Sequence, residues 1–123
     1  MSEIFLTQQE ADMLLQMEKH RVDDREWELP KPGTKSIIQL VSFDKREKFI
    51  LDMSQQAINT FKIKYQNRAR VNVILARLEL GGAPHQNPDG EIVDAPHVHL
   101  FREGFGDKWA FPLSQDDFSN PIR

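Results

Sequence analysis

Cysteine is absent from this 123-residue chain, which removes a disulfide framework, a thiolate zinc site and a cysteine nucleophile together. Any metal must therefore rest on histidine and carboxylate. Long apolar runs are lacking as well. None approaches the roughly 18 residues that a membrane helix needs, and the N-terminal Met1-Ser2-Glu3-Ile4-Phe5-Leu6-Thr7-Gln8 has neither the basic stretch nor the apolar core of a secretion signal. A cytoplasmic protein without membrane contact is the expectation. There is no internal repeat, no phosphate-binding Gly-rich loop, no Gly-x-Ser-x-Gly elbow and no His-Glu-x-x-His.

What is present fits an ordinary globular chain: 39% hydrophobic and 28% charged residues, enough apolar content for one core and too short a chain for two. We expect one domain over residues 1–123, with a helix and connector at 1–30, a sheet at 31–113 and a tail at 114–123. The net charge of −3 hides an asymmetry, because residues 1–30, 31–77 and 78–123 sum to −5, +7 and −5. A basic middle between acidic ends either offers a cationic face to a polyanion or pairs with those ends on folding. It also suits a non-catalytic protein-binding module with two oppositely charged surfaces.

Thr7-Gln8-Gln9-Glu10 has the form of a capping box and predicts a helix beginning there. Apolar residues recur through Met17, and His20 and Arg21 carry the expected helix to about Arg21. Leu29-Pro30-Lys31-Pro32-Gly33 then breaks regular structure, with Trp27 anchoring the connector. Beyond it the pattern becomes extended. Residues 36–43 and 48–53 flank Asp44-Lys45-Arg46-Glu47 at hairpin spacing. A third stretch from Ile58 alternates Phe61, Ile63 and Tyr65 with Lys62 and Lys64, and turns at Asn67-Arg68-Ala69-Arg70 into Val71 to Leu80. The apolar phase slips between Leu75 and Ala76, which predicts a β-bulge. A long connection from Gly81 to Pro96 precedes two closing strands, centred on His99 and on Lys108 to Leu113, and one turn is expected around Phe118. The fold class is α+β: an N-terminal helix packed on a predominantly antiparallel sheet of five or six strands. Exposed sheet edges make a homodimer an expectation as well.

Two of the four histidines fall at His97-Val98-His99. In a strand they leave the same face, with Cα atoms about 7 Å apart, so both imidazoles can address one ion or one phosphate. Three readings follow. In the principal one the chain engages RNA or single-stranded nucleic acid through Lys62, Lys64, Arg68, Arg70 and Arg77, without a cofactor. His97 and His99 then act as an RNA-cleaving acid and base, and Arg102 stabilises the phosphorane. The second is a metal-dependent enzyme holding zinc, iron or manganese through His85, His97, His99 and Glu103. In the third the two imidazoles are buried and simply bond to neighbouring strands.

His97-Val98-His99 followed three residues later by Glu103 resembles the core of the first cupin motif, though no histidine follows for the second motif. Across Lys64-Tyr65-Gln66, Leu75-Ala76-Arg77-Leu78, His85-Gln86-Asn87-Pro88-Asp89-Gly90, Pro96-His97-Val98-His99-Leu100, Arg102-Glu103-Gly104 and Asp107-Lys108-Trp109-Ala110 the chain resembles a group of small uncharacterised bacterial proteins often found near prophages and mobile elements. That likeness covers the C-terminal two thirds. It implies a nucleic-acid or defence-related partner and assigns no residue a role.

Overall fold

The capping box forms as the sequence predicts. In the computed structural model, which describes residues 6–22, 31–56, 62–70 and 72–113, the Thr7 hydroxyl accepts from the Glu10 N–H while the Glu10 carboxylate accepts from the Thr7 N–H, opening helix α1 (Gln8–Gln16). The helix stops five residues before the expected end at Arg21, because Met17 turns extended at φ −62° and ψ 135°. The cation that serves its C-terminus is Lys19, whose Nζ donates to the carbonyls of Leu14, Leu15 and Met17 at 2.8 to 3.0 Å. Lys19–Arg21 itself is a short strand, β1, with His20 opposite Val41 and Arg21 opposite Leu40. Trp27, Ile58, Phe61 and the expected turn around Phe118 lie outside the described residues.

β1 adds to a meander of β2 (Lys35–Ser42), β3 (Lys48–Gln55), β4 (Ile63–Ala69) and β5 (Val73–Glu79), followed in space by β8 (His97–Leu100) and β9 (Ala110–Pro112). The sheet is thus seven-stranded rather than five- or six-stranded, in the order β1-β2-β3-β4-β5-β8-β9, and every pairing is antiparallel. The bulge is present. Asn67 faces Ala76 while Arg68 faces Ile74, leaving Leu75 extra, so the apolar phase changes where the sequence says it does. β6 (His85–Gln86) and β7 (Ile92–Val93) form a separate two-stranded ribbon inside the long connection.

Residues directly opposite one another in antiparallel strands share a face. The row Met53, Tyr65, Leu78, Val98 and Phe111 crosses five strands on one side. Further along that side Phe49, Ala69 and Val73 meet Leu6, Ala11 and Leu14 from the helix segment, with Leu75 completing the core. The rows Asp52, Gln66, Arg77, His99, Ala110 and Ser54, Lys64, Glu79, His97, Pro112 run along the opposite side. That polar face holds the candidate site.

Candidate functional site

His97 and His99 leave β8 on one face because the strand alternates, and register sets each imidazole against a charged residue of β5: His99 opposite Arg77, His97 opposite Glu79. The connection between β5 and β8 then folds over them. Asn87 anchors it to β9, its side-chain amide donating to the Ala110 carbonyl at 3.0 Å while its side-chain oxygen accepts from the Ala110 N–H at 2.8 Å. His85 follows the same route, with Nε2 2.8 Å from the Lys108 carbonyl and its ring centroid 4.5 Å from that of His99. Under this cover His97 and His99 are 0% and 1% exposed. The site opens at its carboxylates, since the side chains of Glu79 and Asp107 remain 27% and 31% exposed.

Burial without hydrogen bonds would be costly for so many polar groups, and most are satisfied. His97 Nε2 lies 2.9 Å from Glu79 Oε2, and His99 Nε2 lies 3.7 Å from the same oxygen. Arg77 bridges Glu79 and Asp107 and places one terminal nitrogen 3.3 Å from the His99 ring nitrogens. The partners assign the tautomers. A backbone carbonyl accepts only, so the 2.9 Å contact with the Asp107 carbonyl puts the His99 proton on Nδ1 and leaves a lone pair on Nε2. A carboxylate also accepts only, so His97 donates from Nε2. His97 Nδ1 is then a buried atom with no hydrogen-bond partner.

Electrostatics follow the same geometry. For Glu79, burial pushes the carboxyl up, but the His97 hydrogen bond and the Arg77, His99 and His97 charges together hold it below the ordinary carboxylate value. For His99, burial is the largest influence and lowers its proton affinity; the Asp107 carbonyl and Glu79 oppose this, Arg77 and His85 reinforce it. The unfolded chain therefore binds this proton more tightly, and stability declines as pH falls through the ordinary histidine value of 6.5. Urea midpoints measured between pH 8 and pH 5.5 are expected to fall on acidification, with His99→Gln flattening the dependence. An unchanged slope in that variant would contradict the assignment.

Glu79, His97 and His99 form one group in which a donor atom from each lies within 4.8 Å of the other two. This differs from the expected metal set of His85, His97, His99 and Glu103. Glu103 turns the other way: its carboxylate accepts from the Gln8 N–H at 2.8 Å and its own N–H donates to Gln8 Oε1, so it serves the start of α1. The cupin-like spacing thus fails here, because the chain leaves β8 at Leu100 and Glu103 lies in the following turn. His85 packs on the group edge-on and is tied to Lys108. Arg102 lies over the Trp109 indole at 4.8 Å, and no contact between it and either histidine occurs among the described residues. Lys64, Arg68 and Arg77 share the histidine face by register, but Arg68 pairs with Asp52 at 2.6 Å and Arg70 with Glu47 and Glu10. Lys62 lies beside Gly82.

A family profile, DUF6978, described as a family of unknown function, matches residues 6–123. The chain belongs to DUF6978. The match agrees with the resemblance to uncharacterised proteins, and it spans the helix, the whole sheet and the histidine cluster of this DUF6978 chain. No curated protein and no solved structure matches it. Sequence reasoning missed Glu79 and Asp107. A signal for Glu79 was there, since Arg77-x-Glu79 repeats the two-residue spacing of His97-x-His99, and two alternating pairs on neighbouring strands can meet face to face. Asp107 had none.

Proposed function

We propose that this protein binds one divalent transition-metal ion through Glu79, His97 and His99, the ion replacing the His97–Glu79 hydrogen bond as the His97 proton shifts from Nε2 to the otherwise unpartnered Nδ1. The convergence of one carboxylate and two imidazoles within 4.8 Å, at a buried position, carries the reading. Two histidines and a carboxylate are a donor set for zinc or ferrous iron. Support also comes from outside the three residues. The Asp107 carbonyl holds His99 Nδ1–H and so orients Nε2 as a donor, the arrangement that metal-bound histidines usually have. Glu79 and Asp107 against Arg77 leave the site one negative charge in excess before an ion enters. Three protein donors leave a tetrahedral ion one position for water, the donor count of hydrolytic zinc sites. Among divalent-metal chemistries, metal-assisted hydrolysis is therefore the reaction class this reading implies.

The rival use of the same histidines, cleavage of RNA by a free imidazole pair, has less support, because both rings lie under the β6–β7 connection and Arg77 is held by two carboxylates. Purified protein incubated with zinc or cobalt and then desalted is expected to retain about one ion per chain. Saturation at a hundred times the dissociation constant should stabilise the fold by about 2.7 kcal/mol. His99→Ala and Glu79→Ala are expected to lose the ion, while Glu103→Ala keeps it. Substoichiometric metal in wild type, or full retention by His99→Ala, removes the reading.

A further inference from the structure

The basic side chains among the described residues are unequally engaged. Arg68, Arg70 and Arg77 face carboxylates, whereas Arg21, Lys45 and Lys48 have no side-chain hydrogen bond or ion pair among the described residues. Lys45 and Lys48 line one hollow of about 830 Å³ at the β1–β2–β3 corner, and no acidic side chain among the described residues lines it. Lys48 shares its face with Val41 and His20, while Arg21 belongs by register to the opposite row with Leu40 and Phe49. Three acids close to the hollow in sequence among the described residues are committed elsewhere. Glu18 lies 3.3 Å from His20, Glu47 pairs with Arg70, and Asp44 accepts from the Ser42 hydroxyl and the Arg46 N–H.

Phe43 stands at the rim of the same hollow and is 83% exposed, with the His20 ring 6.1 Å away. A ring so little used by the core is available for stacking. Single-stranded nucleic acid is held by this combination, a phosphate-tracking cationic hollow and an aromatic face against which any base can stack. An acidic peptide would satisfy the cations but has no general use for an isolated flat ring.

We propose that the β1–β2–β3 corner binds single-stranded nucleic acid, Phe43 stacking on a base while Lys45 and Lys48 meet the flanking phosphates. The proposal does not rest on the metal reading, and it places the nucleic-acid surface away from the β4–β5 ribbon, where the arginines are paired. The probe is a fluorescein-labelled oligothymidylate of about twelve nucleotides, titrated with the full chain by anisotropy at several salt concentrations. Phe43→Ala is expected to weaken binding at least about fivefold. Lys45→Ala and Lys48→Ala should each reduce the slope of log affinity against log salt by about 0.7. Lys64→Ala should stay within about twofold of wild type. All four side chains are exposed or at the surface, and unchanged thermal melts establish that each variant folds. No saturable binding by wild type, undiminished binding by Phe43→Ala, or an equal loss in Lys64→Ala overturns the proposal. Equal displacement of the oligonucleotide by a polyglutamate peptide overturns it too, in favour of an acidic protein partner.

Discussion

Phe49→Ala is expected to cost about 3 to 5 kcal/mol, the largest effect of any single truncation considered for this chain. Phe49 is 1% exposed and packs at the junction of the helix segment with β4 and β5, against Leu6, Leu14, Ala69, Val73 and Leu75. Its removal leaves a cavity between a helix and a sheet that cannot close without moving one of them. It also removes the ring over which Lys19 Nζ sits at 4.5 Å, and that same Nζ holds three carbonyls at the end of α1. Core and helix terminus therefore fail together. Since small domains are stable by only about 5 to 15 kcal/mol, the urea midpoint should fall by a large fraction, with the slope of the transition unchanged. Phe43→Ala, at an exposed position, should stay within about 0.5 kcal/mol of wild type. A loss below about 1.5 kcal/mol for Phe49→Ala would mean that the helix does not depend on this contact.

Glu79→Ala is expected to cost about 2 to 4 kcal/mol in the metal-free protein, although the residue sits at the end of a strand and is partly exposed. The cost comes from what stays behind. His97 Nε2–H, on a fully buried ring, loses its acceptor, and an unsatisfied buried donor costs about 1 to 3 kcal/mol. Arg77 loses one of its two carboxylates; solvent screening at the partly exposed Glu79 keeps that part small. Glu79→Gln retains an acceptor for His97 and should recover about half of the loss. Equilibrium unfolding of the two variants measures the difference, and an alanine variant as stable as wild type would show that the cluster contributes nothing to folding.

Local signals were legible wherever the residues that make a feature are neighbours in sequence. Thr7 and Glu10 satisfy each other within one turn, so the capping box could be read directly. The phase slip at Leu75 and Ala76 became the bulge for the same reason. β1 was not legible. Three residues after a helix carry no period, and their pairing with Leu40, Val41 and Ser42 requires the chain to return from twenty residues away. The same limit explains Glu103, which stands four residues from His99 in sequence yet faces Gln8 across the fold. The +7 of the middle third was correct as a sum and misleading as a surface, because a sum does not say which arginines have partners.

The sequence by itself determined the α+β class, the helix start, the main hairpins, the bulge and the shared face of His97 and His99, since each follows from backbone periodicity or from contacts within a few residues. Tertiary structure alone decided that Glu79 rather than Glu103 meets those imidazoles, that a connecting loop buries them, and which cations remain free. These are matters of strand register and chain crossing, where residues tens of positions apart are brought within a few ångströms, and no local pattern encodes that separation.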